Sequence, residues 1–449
     1  AVSIDGDNQP LFVVDGVPYD NQTLNQESLV AASNPSGVGF ANRNSDYGNR
    51  AMDINPDDID KVTILKGPEA TALYGAAGAS GVIIKKKKKG AKGKGSITYD
   101  NTFRFDKVYR FPEIQTTYGR GRNGVNDPAS SYFFGAPFAS GTTLYDNFDN
   151  FLKTGMTQKH NLAIEGGSDV NTFRFSSGYT KQEGVIPTSK FERLSFRLSG
   201  SSKITNKLNV SATTSYTNSK TDKVSKGTGS YFLTLLTWPK DDDVRQYLNS
   251  DGSRRIARGG TILSETDNPF WDVNKNLGND KTNRFTLNTT ISYDVLKWLN
   301  LTGNMGADIY STQGLYSVNP QSRYGGATNG FLSQYTQNTV NLSGNVRGAI
   351  KKDFGKFSNN LILGFNFDDN KTRIESQRGE QFIEPDFLSI NNVSPLTVAS
   401  KTTVLNYRRT RWFGSYTAGY GRLIYLTFAG SIEGDSRLTS KFYQKSPYF

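Results

Sequence analysis

The chain has 449 residues, 35% hydrophobic and 12% aromatic, with a formal net charge of +12. It has no Cys, which excludes disulfides and thiolate chemistry, and a single His, His160, which excludes a His-pair metal site. No run reaches the ~18 apolar residues a membrane-spanning helix needs, and Ala1-Val2-Ser3-Ile4-Asp5 lacks the basic start and apolar core of a signal peptide. In chain order, Leu11-Phe12-Val13-Val14 reads as a strand, followed by Asp15-Gly16, a dipeptide suited to a tight turn with positive φ. Residues 21–50 are rich in Asn, Ser and Gly and read as loop. Asn55-Pro56-Asp57-Asp58-Ile59 has Pro and acids where a helix starts. Val62-Thr63-Ile64-Leu65 is a strand, Gly67-Pro68 a break, and Glu69 to Tyr74 a brief helix ended by Gly75. Gly81-Val82-Ile83-Ile84 opens another strand, completing a small α/β segment. The Lys85 to Lys89 run would charge both faces of a strand, so it is expected to cross open water.

From residue 95 the pattern becomes strict alternation. Over 284–293, Phe285, Leu287, Thr289, Ile291 and Tyr293 share one face, and Arg284, Thr286, Asn288, Thr290 and Ser292 the other. About eleven such strands are expected, centred near 100, 162, 175, 196, 212, 288, 304, 344, 365, 415 and 428. Their connections sort by length. Short turns sit at 167–170, 202–206, 294–298, 352–358 and 421–422. Long connections fall at about 106–156, 219–280, 312–330 and 376–400, with only 183–188 brief on that side. Short turns on one side and long loops on the other mark an outer-membrane β-barrel; soluble β-sandwiches also alternate, but do not sort their loops by parity.

Asn8-Gln9-Pro10-Leu11-Phe12-Val13-Val14-Asp15-Gly16-Val17-Pro18 closely resembles the plug motif of SusC/RagA-type TonB-dependent transporters, the large outer-membrane importers of Bacteroidetes. Val62-Thr63-Ile64-Leu65-Lys66 and Ala72-Leu73-Tyr74-Gly75-Ala76-Ala77-Gly78-Ala79-Ser80-Gly81-Val82-Ile83-Ile84 continue the resemblance, and Tyr425-Leu426-Thr427 through Gly434-Asp435-Ser436-Arg437 is similar to a mid-barrel stretch of that family. Pro10, Val14, Asp15, Gly16, Tyr74, Gly75, Gly78 and Gly81 are the plug-motif residues this implies. Two departures stand out: the Lys85 to Lys89 run, and Ala77 at the place of the family's Arg, which removes one plug–wall ion-pair candidate. The resemblance implies a mostly β fold: residues 1–94 as a partial α/β plug, and 95–449 as the first half of a 22-stranded barrel. It also implies that the first half of the plug, an accessory domain and the TonB-contacting segment precede Ala1, in a chain roughly twice as long.

The same resemblance implies import of glycan or peptide oligomers, a SusD-like surface lipoprotein as lid, coupling to the TonB-ExbB-ExbD inner-membrane system, and outer-membrane lipid around the wall. The competing reading is a structural subunit that scaffolds further envelope proteins without transport of its own. A siderophore receptor is disfavoured by the Pro10 to Pro18 motif. No enzyme activity, cofactor or metal is expected. Asp241-Asp242-Asp243 lacks the alternating spacing and Gly of an EF-hand loop, and the Gly75, Gly78 and Gly81 spacing suits close backbone passage better than a phosphate cradle. The basic balance includes neither a basic groove with interleaved aromatics nor a reading module, so no nucleic-acid partner is expected. The candidate contact residues for a solute or partner are loop aromatics: Tyr118 and Tyr132 in 106–156, and Tyr231, Trp238 and Trp271 in 219–280. Folding of these loops back on themselves would use the same side chains.

Overall fold

The structure is a computed structural model. It describes residues 9–24, 29, 48–67, 70–71, 74–130, 132–225, 230–421, 423–438 and 446–448. Two sheets organise it. The smaller has the order β2-β1-β4-β3, built from β1 (Leu11–Val14), β2 (Val17–Tyr19), β3 (Ile59–Leu65) and β4 (Val82–Lys87). Asp15 and Gly16 turn β1 into β2 with φ of 51° and 90°, a turn with both central residues left-handed. β1 then lies parallel to β4, Val13 opposite Ile84, and β3 closes antiparallel on the other side of β4. Val13, Ala70 and Val82 pack one small core, and Val14, Tyr19 and Ile54 another. Two short 3-10 turns, Arg50–Asp53 and Pro56–Asp58, are capped by the side chains of Asn49 and Asn55. Of the helix expected over 69–74, Ala70, Thr71 and Tyr74 are described and helical, the other three lying outside the described residues, as does most of the 21–50 loop.

The lysine run does not simply cross open water. β4 extends into it as far as Lys87: Lys85 lies over the Phe12 ring at 4.4 Å, and Lys87 is buried with its backbone N–H on Asp15 Oδ1 at 2.8 Å. Burial holds the Lys87 ammonium below the usual lysine range. Only Lys86, Lys88 and Lys89 face water.

The larger sheet is a run of nearest-neighbour antiparallel pairs. It begins with β5 (Gly93–Asp106); β6 (Gly121–Arg122) and β7 (Val125–Asn126) form a separate small ribbon in the loop that follows. The wall resumes with β8 (Gly155–Gly167), β9 (Asn171–Glu183), β10 (Lys190–Lys203) and β11 (Leu208–Lys223). It continues through β12 (Gly278–Leu296), β13 (Leu299–Val318), β14 (Phe331–Phe354) and β15 (Phe357–Glu380). β16 (Ala399–Tyr420), β17 (Ile424–Asp435) and a short β18 (Ser446–Tyr448) complete twelve hydrogen-bonded strands. The two-residue period holds along the wall. Phe285, Leu287, Ile291 and Tyr293 are exposed on the outer face, while Arg284 is buried against the small sheet.

The strands outrun the alternation. β14 and β15 are 24 residues each, about 80 Å of strand, or roughly 60 Å of height at a ~40° tilt. That is more than twice the ~25 Å apolar band of an outer membrane. The expected loops at 312–330 and 376–400 therefore begin later, at Val318 and Glu380, and the loop expected at 219–280 shrinks between Lys223 and Gly278. Ends such as Glu375-Ser376-Gln377-Arg378 are polar on both faces, so they show no hydrophobic period. Their backbone ladder continues all the same.

Candidate functional site

The boundary between the inner segments and the wall is mainly polar, with small apolar contacts of Val17 at Gly306 and of Leu24 and Leu29 at Tyr335 and Ile374, and its centre is Arg284. β12 places Arg284 opposite Tyr310 of β13. Its Nε donates to Asp308 Oδ1 at 2.7 Å, and Nη2 to the Asp20 carbonyl at 2.7 Å. Nη1 reaches the Arg50 carbonyl and Asp53 Oδ2, both at 3.4 Å, and the guanidinium lies over the Tyr19 ring at 3.5 Å. Tyr310 donates to Asp20 Oδ2 at 2.8 Å, and the Asp20 N–H to Asp308 Oδ2 at 3.1 Å. Ser219 of β11 donates to Asp53 Oδ1 at 2.8 Å, and Arg50 reaches Thr282. One wall cation thus ties together two inner segments, the chain just after β2 at Asp20 and the 3-10 turn Arg50–Asp53.

A second grip holds the two 3-10 turns. Arg193 of β10 donates from Nη1 to the Met52 and Ile54 carbonyls, both at 2.9 Å, and from Nη2 to Asn55 Oδ1 at 3.4 Å. Asn55 donates to Asn161 at 3.1 Å, and Ser176 to Asp58 at 2.6 Å. Asn288 donates to the Asp15 carbonyl at 2.8 Å. At Gly306 the wall has no Cβ because Val17 occupies the space, its Cγ2 being 2.4 Å from where a Cβ would stand. On the far side Glu433 of β17 accepts the Ala76 N–H at 3.3 Å, and Arg411 lies over Tyr74 at 5.8 Å. Gly75 has φ +62°, and a Cβ there would collide with the Glu433 carboxylate. A cavity of about 860 Å³ opens between residues 9–24 and 74–80 and wall strands β13 to β16, lined by Asn341, Asn345, Asn366, Asn370, Tyr407 and Arg409 among others.

The plug-motif residues divide by role. Val14 is core, Gly78 passes against the Ala70 carbonyl, and the Gly81 carbonyl accepts the Leu11 N–H. Gly16 is the open turn, and Pro10 lines the cavity while its carbonyl accepts from Asn21. Asp15, Tyr74 and Gly75 are the ones that meet the wall. What sequence reasoning missed is the pairing: Arg284 is legible as inward-facing by parity, but Asp308, Asp20 and Asp53 become its partners only across 24 to 264 residues of chain.

The loop aromatics part company. Trp238 and Trp271 are 2% and 1% exposed; Trp238 lies in a cluster with Phe148, Phe151, Leu235, Val244 and Val273, and Trp271 Nε1 donates to Ser322 at 2.8 Å. They fold the loop and offer no face to a solute, which corrects the expectation for both. Tyr231 is half-buried, stacked on Phe151 at 5.7 Å. Tyr118 and Tyr132 remain exposed, Tyr132 beneath the Arg122 guanidinium at 3.8 Å. Three short helices lie in these loops: α1 (Asn147–Phe151), α2 (Tyr231–Leu236) and α3 (Pro269–Lys275). Asp272 in α3 accepts the Tyr231 N–H at 3.0 Å and Asn276 Nδ2 at 2.9 Å; burial pushes its carboxyl up to about 7. Asp242 and Asp243 are ion-paired with Arg255 and Arg245, a structural use of the acidic triplet. His160 sits on the outer wall, 2.7 Å from the Tyr99 hydroxyl.

A wall of long antiparallel strands holding a small mixed sheet by polar contacts defines the class of plugged outer-membrane barrels, whose spanning strands close on themselves. Residues 1–82 match the family described as the TonB-dependent Receptor Plug Domain. The chain is similar to the TonB-dependent receptor SusC of Bacteroides thetaiotaomicron, 26% identical over 387 residues, 81% of this chain and 35% of that protein. It is also similar to the TonB-dependent receptor P26 of Formosa agariphila, 25% identical over 447 residues, 97% of this chain and 41% of that protein. Among solved structures, the RagAB peptide transporter superposes with a TM-score of 0.74 at 19% identity, covering 99% of this chain and 51% of that one. The ferric citrate transporter FecA superposes with a TM-score of 0.55 at 8% identity, covering 96% of this chain and 49% of that one. The chain therefore spans well under half the length of these curated relatives and about half that of these solved structures. By sequence and fold the chain is thus similar to TonB-dependent receptors of the SusC and RagAB kind, and its wall has the fold of an outer-membrane β-barrel. Among the described residues no helix is long and apolar enough to cross a membrane.

Proposed function

We propose that the chain is the plug-bearing half of an energy-coupled importer, in which residues 1–94 are part of the plug and 95–449 form the first half of the barrel. A large solute, a glycan or peptide oligomer, binds at the loop side, and a pull from the TonB-ExbB-ExbD system displaces the plug. A SusD-like lipoprotein serves as lid, with Tyr118, Tyr132 and the exposed edge of Tyr231 as the candidate loop contacts. The observation that carries this reading is the polar plug–wall boundary around Arg284 and Arg193. Hydrogen bonds and ion pairs of this kind separate at small net cost once water replaces each partner, whereas an apolar seam would not. The test is a disulfide between plug and wall, Val17→Cys with Gly306→Cys, in the full-length protein with any Cys outside these 449 residues replaced; residues 1–449 contain none. Cross-linking should abolish uptake and leave solute binding at the loops intact, with reduction restoring transport. Undiminished uptake by the fully cross-linked protein would refute plug displacement and favour the scaffold reading.

A further inference from the structure

Four consecutive hairpins end on the short-turn side at 204–207, 297–298, 355–356 and 421–423, side by side along the rim because β10 to β17 pair in order. Barrels of this kind turn that side to the periplasm. Three of these turns share one composition. Lys203 and Lys207 flank the first, Lys297 lies in the second, and Lys351, Lys352 and Lys356 surround the third, all exposed. The nearby acids are Asp294, which accepts from Asn300, and Asp353. Among the described residues no ion pair engages Lys297, Lys351, Lys352 or Lys356.

The rim is also aromatic on its outer face. Trp298, Phe354, Phe357 and Tyr420 are 39%, 59%, 58% and 45% exposed, and Phe357 and Tyr420 rings meet at 4.9 Å. Parity on β14 puts Lys352 and Phe354 on the same outer side as Leu342 and Val346. The Lys352 ammonium sits over Phe354 at 5.1 Å and over Trp298 at 5.9 Å. Ring faces occupy one side of that ammonium and leave its other donors free. It is an outward-facing charge at the very edge of the apolar face, held at headgroup depth by the aromatic girdle.

We infer that this rim binds the phosphate of anionic phospholipid headgroups in the periplasmic leaflet. Lys352 is the contact nearest the lipid, and Lys297, Lys351 and Lys356 supply the field. The ligand class follows from the chemistry: ammonium groups without carboxylate partners favour a net anion over a zwitterion, and the adjoining rings place that anion beside acyl chains. The proposal rests on the barrel lying in a membrane, and the experiment separates the two. The full-length protein is inserted into nanodiscs of equimolar phosphatidylglycerol and phosphatidylethanolamine with matched acyl chains, and the lipids it retains are counted by native mass spectrometry. The wild type should retain phosphatidylglycerol over phosphatidylethanolamine by ~5-fold or more, the weight of a single lysine near an anionic surface. The variant Lys297→Gln/Lys351→Gln/Lys352→Gln/Lys356→Gln should retain the two equally, and arginine at the same four positions should restore the preference. Equal retention by the wild type, or a preference surviving in the glutamine variant, overturns the proposal. Displacement of the lipid by inorganic phosphate would also overturn it, in favour of a site for soluble phosphate. Failure to enter the nanodisc at all would instead refute the membrane barrel.

Discussion

Replacing Arg284 by Met tests whether the charged cluster holds the plug. The guanidinium is 2% exposed and contacts Asp308, Asp53, the carbonyls of Asp20 and Arg50, and the Tyr19 ring. Methionine fills much of the volume but leaves two buried carboxylates and two carbonyls without their donor. Removing one partner of a buried, hydrogen-bonded pair costs about 3–5 kcal/mol, because the other charge stays buried. The Asp308 contact lies within the wall, so only the Asp20, Arg50 and Asp53 contacts bear on docking; about 3 kcal/mol of the loss should fall there. In the full-length protein this should speed amide exchange over residues 48–58 by about 150-fold relative to the wild type. Adding Asp308→Leu to Arg284→Met removes the orphaned wall carboxylate and should recover at least 1 kcal/mol, a coupling readable in a double-mutant cycle. If Arg284→Met shifts exchange over 48–58 by less than about threefold, the cluster does not carry docking and the energetic argument fails.

Two further outcomes are expected. Lysine at Leu287, on the lipid side, should cost about 2–4 kcal/mol in bilayer folding titrations; lysine at Asn288 should cost only about 1 kcal/mol, the net worth of its bond to the Asp15 carbonyl. Equal costs would contradict the assigned faces. The loop cap should loosen as pH rises: the Asp272 carboxyl is raised to about 7 in the fold against ~3.9 in the open chain, so the folded loop binds the extra proton between those values. Its contribution is therefore full below about pH 4, declines up to about pH 7 and is flat above. Limited proteolysis across 230–277 should follow that course, and Asp272→Asn should flatten it; a profile unchanged by the substitution would rule Asp272 out.

What the sequence determined by itself is what a local period or a single turn can encode. A two-residue hydrophobic period over 284–293 is enough to say strand, and which face meets an apolar surroundings, because pleating alternates side chains without regard to the rest of the chain. Asp15-Gly16 specifies its turn for the same reason: both residues tolerate left-handed φ, and nothing distant is required. The Pro10 to Pro18 and Leu73-Tyr74-Gly75 motifs likewise carried the plug in contiguous residues. The tertiary structure decided everything that depends on pairing at a distance. The strand ends beyond Thr312 and Glu375 are held by backbone ladders to neighbours; polar side chains around Glu375 show no period, and Leu315, Tyr316 and Val318 depart from alternation, so both ends read as loop. Trp238 and Trp271 look like contact residues in a polar loop, yet both are buried: helices far apart in sequence bring Phe148, Phe151 and Val273 around Trp238, and Ser322 from another loop takes the Trp271 indole N–H. Lys87 shows the same effect within one run of identical residues: local sequence assigns it the charge of its neighbours, whereas the position of β4 between β1 and β3 decides that it alone is buried. The Arg284 cluster is the plainest case. Parity turns Arg284, Asp308 and Arg193 inward, but which plug groups they hold is set by how the small sheet sits within the wall, and that placement supplies the carboxylates and carbonyls that offset the burial of charge.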